Sequence, residues 1–255
     1  RRWIQPTRDL AELEHELCSF LEISSPDEDL SFAANFRQPT TRDPRQRAVH
    51  CWLKRVEHLA REQQCGRFDR ARLENAIPRI AEHADTPERI RNVPSILREL
   101  GVRFAIVPHL PQTYVDGAVL RLDRKPVVAM TLRYDRIDAF WFTLMHELAH
   151  IVAGHDGTFI DSLDDENKSR TERQADRLAQ DWLIDRAAYK SFVSETRPYF
   201  SKQKVLTFAE EQGRHPGIIV GRLQSDGEVE YSSFRRMLAK VSPHIEKWID
   251  RVEAA

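Results

Sequence analysis

The chain has 255 residues, of which 39 are Lys or Arg and 40 are Asp or Glu, so its formal net charge is −1. Hydrophobic residues make up 41% and charged residues 31% of the sequence, which excludes a disordered tail and allows a buried core. The near-zero charge argues against a purely electrostatic partnership with nucleic acid, although a local basic patch stays possible. The most apolar stretch, residues 140–145, is far shorter than the roughly 20 residues that a bilayer requires, so we expect no membrane association.

The cysteines and the first residue bear on location and completeness. Cys18, Cys51 and Cys65 form no CxxC pattern, which is typical of reduced thiols in a cytoplasmic protein. The chain begins at Arg1 without Met or an apolar signal segment. Either the chain has been processed or it is the later part of a longer protein, and we expect the second.

The first hundred residues follow helical periodicity. A helix is predicted from near Thr7, with its apolar face formed by Leu10, Leu13, Leu17, Phe20 and Leu21. A second begins at Asp43-Pro44, an N-cap followed by proline, and its apolar face comprises Val49, Trp52, Leu53, Val56, Leu59 and Ala60. Thr86-Pro87 repeats the start signal, and that helical pattern ends at Leu100-Gly101.

The periodicity then changes to about two, which is typical of strands. Three short strands are predicted at Arg103–Val107, Ala118–Leu122 and Pro126–Thr131, as a meander or a mixed sheet. We expect Pro126–Thr131 to be an edge strand that binds a peptide by strand addition. Helices return from about Asp135, with loops near 154–168, 194–202 and 224–230. The order predicts an α+β fold, mainly helical, with a small sheet of about three strands.

The helix after the third strand carries an HExxH motif, His146-Glu147-Leu148-Ala149-His150. Residues four apart share a helix face, so the two imidazoles can bind one Zn²⁺. The carboxylate of Glu147 points elsewhere around the helix, where it can act as a general base on water. The motif thus predicts a zinc hydrolase.

Such a site needs a third protein ligand and an open position. His155, Asp156 or a carboxylate from the next helix are the candidates. That helix supplies Glu172 and Asp176, which again lie four residues apart on one face. One of these carboxylates can bind the metal while the other orients a ligating imidazole.

HExxH followed by Glu-x-x-x-Asp resembles the gluzincin arrangement of zinc peptidases. The surrounding residues, from Phe140 to the motif and from Glu172 to Ala179, resemble the ImmA/IrrE metallopeptidase family over about 97–183. The resemblance implies a zincin-like fold with HExxH on its central helix, Glu172 as the third ligand and Asp176 as the residue behind a ligating imidazole. It also implies an endopeptidase in which Glu147 deprotonates a water molecule activated by zinc.

The residue that stabilises the oxyanion stays open among Tyr114, His109, Tyr134 and His155. The substrate class implied is a protein such as a transcriptional repressor. Three regions are expected: helical support at 1–100, the metallopeptidase core at 101–195, and a C-terminal helical region at 196–255 that packs on the core.

The flanking regions, including residues 208–224, are similar to HigA-like antitoxins or regulators with an N-terminal XRE-type helix-turn-helix. This implies a second function: a weakly proteolytic or non-proteolytic regulator that senses a signal, binds a toxin or forms a homodimer. DNA would then be bound only through a domain preceding Arg1. Within this chain, residues 205–224 fit a helix-turn-helix, but an ordinary αα-hairpin that packs under the site is favoured.

Overall fold

Helices dominate the computed structural model, which describes residues 3–26, 44–111, 113–155, 159–161 and 169–250. The helices are α1 (Leu10–Leu21), α2 (Pro44–Arg61), α3 (Arg70–Ala81), α4 (Val93–Glu99), α5 (Ile137–Ala153), α6 (Arg170–Leu183), α7 (Arg186–Thr196), α8 (Lys202–Glu211), α9 (Pro216–Ser225) and α10 (Ser242–Ile245). The strands are β1 (Arg103–Ile106), β2 (Gly117–Leu122), β3 (Lys125–Met130) and β4 (Phe159–Asp161). The predicted α+β class is confirmed.

The strands form one mixed sheet in the order β1-β3-β2-β4. β3 runs parallel to β1, and β2 runs antiparallel to both β3 and β4. The three predicted strands are present, and β4 adds a short fourth strand in a segment that we expected to be a loop. The prediction that Pro126–Thr131 is an edge strand is wrong, because β3 pairs on both sides. Its uninterrupted buried run from Pro126 to Met130 is the pattern of a central strand covered on both faces.

Helices cover both faces of the sheet. On one face, α2 contributes Trp52 and Val56 to a cluster with strand residues such as Ala105 and Val127. The alternate strand residues point to the opposite face, where Phe104, Ile106, Val119, Val128 and Met130 pack with the apolar residues of α5. This alternation with a period of two places α5, the helix with the HExxH motif, directly against the sheet.

The outer edge of β1 is covered by side-chain and backbone groups. The amide of Gln63 accepts from Phe104 N at 3.1 Å and donates to Phe104 O at 2.9 Å. Asp250 N donates to Ile106 O at 2.7 Å, beside a bridge between Ile106 and Ile249. The outward-facing backbone groups of Phe104 and the carbonyl of Ile106 are therefore hydrogen-bonded. Among the strands of the described residues, β4 forms the other edge of the sheet.

The segment 205–224 forms most of the hairpin α8–α9, whose second helix packs on α5. Most of α9 is buried, including Ile218, Ile219, Val220 and Leu223. Helices α9 and α5 approach so closely that a Cβ added at Gly221 of α9 would lie 2.4 Å from Oδ2 of Asp138 on α5. A DNA-recognition helix must expose its reading face, so the structure favours the αα-hairpin.

Helix α1 begins at Leu10, three residues after the predicted start near Thr7, and buries only its C-terminal end. Phe20 and Leu21 are buried, whereas Leu10 is 81% exposed and Leu13 is 38% exposed. The predicted apolar face is therefore covered by the described residues in its last turn alone. In the described ranges, no helix combines the length and the apolar character that crossing a bilayer demands.

His50 on α2 provides a test of stability against pH. Its side chain is buried, and burial, followed by the nearby charge of Lys54, lowers its pKa from 6.5 to about 4. Between pH 6.5 and about pH 4, His50 is therefore protonated in the unfolded chain but not in the folded one. The free energy of unfolding is not reduced by this difference above pH 6.5, and it falls as the pH is lowered toward 4. We expect the free energy of unfolding, measured with urea, to fall between pH 7.5 and pH 4 by up to about 3 kcal/mol more in the unaltered protein than in His50→Gln.

The matched control is His15→Gln, because His15 lies exposed on α1. It is expected to lose as much stability as the unaltered protein over the same pH range. Equal losses for His50→Gln and the unaltered protein would contradict the assignment of this acid sensitivity to His50.

Candidate metal and active site

The HExxH residues lie on the most deeply buried part of α5. The residues His146, Glu147 and His150 are 4%, 0% and 0% exposed. Around them, α5 buries Trp141, Leu144, Met145, Leu148 and Ile151. A helix enclosed in this way fixes the direction of each side chain, which a catalytic site requires.

Glu172 is brought to the two histidines by the first turn of α6. The helix begins after Ser169, whose Oγ accepts from Glu172 N at 3.2 Å. Glu172 Oε2 then lies 3.1 Å from His146 Nε2 and 3.4 Å from His150 Nε2. The two Nε2 atoms are 3.0 Å apart, so all three donors converge on one point.

These donors fit a zinc ion. Tetrahedral ligands at about 2.0–2.1 Å from zinc lie roughly 3.3–3.4 Å from one another, close to the three observed separations. Two imidazole nitrogens and one carboxylate oxygen are also a donor set that catalytic zinc uses. Of the other third-ligand candidates, His155 does not belong to this group of donors, and Asp156 lies outside the described residues.

Asp176 lies one helical turn after Glu172 and contacts the other side of His146. Its Oδ1 is 2.9 Å from His146 Nδ1. A carboxylate at this position holds a proton on Nδ1, so that the lone pair of Nε2 faces the metal position. The structure thus brings Glu172 and Asp176 to opposite sides of the same imidazole.

Glu147 fits against the first residue of β2. A Cβ added at Gly117 would lie 2.2 Å from Glu147 Oε1 and 2.7 Å from Thr143 Cγ2. Only glycine therefore leaves room for the carboxylate at this place. The sequence analysis missed Gly117, because Asp116-Gly117 carries the ordinary signature of a turn.

Gly117→Ala tests this close packing. The added methyl group must displace the Glu147 carboxylate, so we expect peptidase activity to fall about 100-fold. Zinc content should be unchanged, because Glu147 is not among the three converging donors. Activity on a peptide substrate and metal analysis by mass spectrometry provide the two measurements.

Gly213→Ala is the control, since an added Cβ there meets no atom within 4 Å. Its positive φ of 60° carries a stability cost of roughly 1 kcal/mol. We expect this variant to keep full activity. Full activity of Gly117→Ala as well would show that the glycine does not position the carboxylate.

Two of the oxyanion candidates, Tyr114 and Tyr134, flank Arg133. The guanidinium carbon of Arg133 lies 5.6 Å from the ring centre of Tyr114 and 4.6 Å from that of Tyr134. Arg133 Nε is 3.2 Å from Asp116 Oδ1, and Asp116 directly precedes the glycine that contacts Glu147. Both rings therefore contact an arginine that pairs with the residue before Gly117, and both rings are partly exposed.

The other two candidates lie elsewhere. His109 is half-buried in the segment after β1. His155 lies beside His150, with 2.9 Å between the two Nδ1 atoms. Burial lowers the pKa of His155 below its usual value. His155 thus contacts a predicted metal ligand rather than the converging donor atoms.

A cavity of about 490 Å³ opens next to Asp176, between α5, α6 and α9. Its wall combines apolar, aromatic, polar and charged residues, namely Tyr134, Arg136, Asp138, Ala139, Phe142, Asp176, Gln180, Leu183, Ile184, Ile218, Gly221, Arg222, Ser225 and Tyr231. The Arg136 guanidinium is already paired with Asp138 at 2.7 Å. The cavity is in the size range of small-molecule sites.

One comparison with known proteins bears on this region. Residues 123–222 match the sequence model of a protein family described as Peptidase U49. The matched span includes the HExxH helix and both carboxylates of α6. No curated protein matches the chain. The family match supports a peptidase.

Proposed function

We propose that the chain is a zinc-dependent endopeptidase of regulatory type. The observation that carries the proposal is the convergence of His146 and His150 of α5 with Glu172 of α6, whose donor atoms all lie within 4.8 Å of one another. The same helix α5 also buries Glu147. The match of residues 123–222 to a peptidase family supports the reaction class. The resemblance to the ImmA/IrrE family supports the regulatory type.

Each residue has one role in this proposal. His146, His150 and Glu172 hold the metal, and Asp176 orients His146 through its Nδ1 proton. When bound, zinc supplies Lewis acidity, which lowers the pKa of water and polarises a peptide carbonyl. Glu147 accepts the proton of the attacking water and delivers it to the leaving amine.

We place the peptide substrate along β4. This strand is an edge of the sheet that the described residues form, and its Asp161 pairs with Gly117, the residue that contacts Glu147. Adjacent strands lie about 4.7–4.9 Å apart. A peptide strand added outside β4 would therefore lie at twice this spacing from β2, the strand that contains Gly117. Strand addition supplies backbone hydrogen bonds that are independent of the substrate sequence.

A regulator or antitoxin that does not cleave is the second candidate. The similarity of residues 208–224 to HigA-like proteins supports it, and such a regulator would act as a homodimer. The burial of Glu147 against Gly117 favours the enzyme, because a purely structural metal site needs no such carboxylate. The substrate that we propose is a protein such as a transcriptional repressor.

Chelation tests the proposed function. The protein is incubated with a proteome-derived peptide library, and new peptide termini are identified by mass spectrometry. We expect cleavage that 1,10-phenanthroline abolishes and added zinc restores. Cleavage that persists after the metal has been removed would overturn the zinc mechanism, and complete absence of cleavage by the zinc-loaded protein would favour the regulator.

A further inference from the structure

Both ring nitrogens of His150 have close partners. Its Nε2 faces His146 and Glu172 at the converging donors, at 3.0 and 3.4 Å. Its Nδ1 lies 2.9 Å from Nδ1 of His155. The imidazole is therefore held at two points, one on each side of the ring.

The turn at the end of α5 produces this second contact. Gly154 adopts a left-handed conformation with φ 70°, and His155 N donates to His150 O at 3.1 Å. The helix thus ends at Gly154, and the ring of His155 lies against the ring of His150, with 5.0 Å between the centroids. Glycine is suited to the left-handed position because it has no Cβ.

The position of the protons follows from the two contacts of His150. A metal at the converging donors takes the lone pair of His150 Nε2, so the ring proton resides on Nδ1. That N–H then points at His155 Nδ1, which must offer a lone pair and carry its own proton on Nε2.

We propose that His155 is a positioning residue that accepts a hydrogen bond from Nδ1–H of His150 and so directs the Nε2 lone pair of His150 to zinc. The inference rests on the proposed metal site. His155 would do for His150 what Asp176 does for His146, although it is uncharged where Asp176 is anionic.

The uncharged acceptor suits the charges around the site. Glu147, Glu172 and Asp176 already bring three carboxylates toward a metal ion of charge +2. A fourth carboxylate behind His150 would add negative charge and weaken the Lewis acidity that the reaction needs. A neutral imidazole orients His150 without adding charge.

Two substitutions separate the hydrogen bond from the packing of the ring. His155→Phe keeps an aromatic ring but has no acceptor. His155→Asn is smaller, but its Oδ1 can accept near the position of Nδ1. Zinc affinity is measured by competition with a chromogenic chelator, and the ligand field by the visible absorption of the Co²⁺-substituted protein.

We expect His155→Phe to bind zinc about 10–100-fold more weakly than the unaltered protein and to show a changed Co²⁺ spectrum. His155→Asn should bind within about threefold of the unaltered protein and keep its spectrum, since the acceptor is retained. If His155→Phe does not fold, His155→Ala takes its place in the same comparison.

Unchanged zinc affinity in His155→Phe would overturn the inference. Equal weakening in the Phe and Asn variants would also overturn it, because packing rather than the acceptor would then be responsible. A failure of the unaltered protein to bind zinc is a different result: it would remove the proposed metal site itself, and the role of His155 with it.

Discussion

Glu147→Gln is expected to reduce peptide hydrolysis by about 10²–10⁴-fold while zinc remains at about one ion per chain. Glutamine has nearly the same shape, so it fills the space against Gly117, but it cannot accept a proton from water. The carboxylate is fully buried, so bulk water does not replace it. Initial rates on one cleaved peptide and metal analysis of the same sample provide the measurements.

Glu195→Gln serves as the matched control, because it makes the same chemical change at an exposed position of α7. We expect it to leave both the rate and the zinc content unchanged. Cleavage at an undiminished rate by Glu147→Gln would eliminate Glu147 as the general base. Loss of zinc from that variant would instead show that Glu147 contributes to the metal site.

The second large effect is expected for Glu172→Ala, which should weaken zinc binding by more than about 100-fold. The substitution removes one of the three converging donors and leaves His146 and His150 as the remaining pair. Asp176→Asn should have a smaller effect, about 10–100-fold, since it alters the group that orients His146 and not a donor. Competition with a chelator at pH 7.5 measures both.

Glu211→Ala provides the control for Glu172→Ala, because Glu211 lies exposed at the end of α8. Its zinc affinity should equal that of the unaltered protein. The predicted order is therefore Glu172→Ala weakest, Asp176→Asn intermediate and Glu211→Ala unchanged. Undiminished zinc binding by Glu172→Ala would exclude Glu172 from the metal ligands and reopen the choice of the third donor.

The convergence of the metal-site residues could be predicted from local periodicity. The HExxH spacing defines one helix face, and the spacing of Glu172 and Asp176 defines another. The converging distances around His146 are what these two faces produce when α6 packs on α5. The assignment of Glu172 to the metal and of Asp176 to His146 came from the family resemblance. The helical spacing of the two carboxylates does not distinguish these roles.

The contacts that sequence reasoning missed are those between distant segments. Gly117 contacts Glu147 across thirty residues of chain, and its sequence context is that of an ordinary turn. β3 is central because β1 and β2 pair with it on either side. Its uninterrupted apolar run was the one feature of the sequence that indicated a central strand. β4 has three residues, too few for an alternating pattern to be recognised.

The covered edge of β1 has a consequence for how copies of this protein can associate. A sheet extends into a fibre only if both of its edges accept a further strand. Here Gln63 and the segment at Ile249 occupy the hydrogen-bonding groups of Phe104 and Ile106, so growth through β1 is blocked. Two copies that paired through β4 would form a closed pair, and that pairing would compete with the proposed peptide substrate for the same backbone groups. Self-association through strands would thus be limited in size and would lower activity as the protein concentration rises.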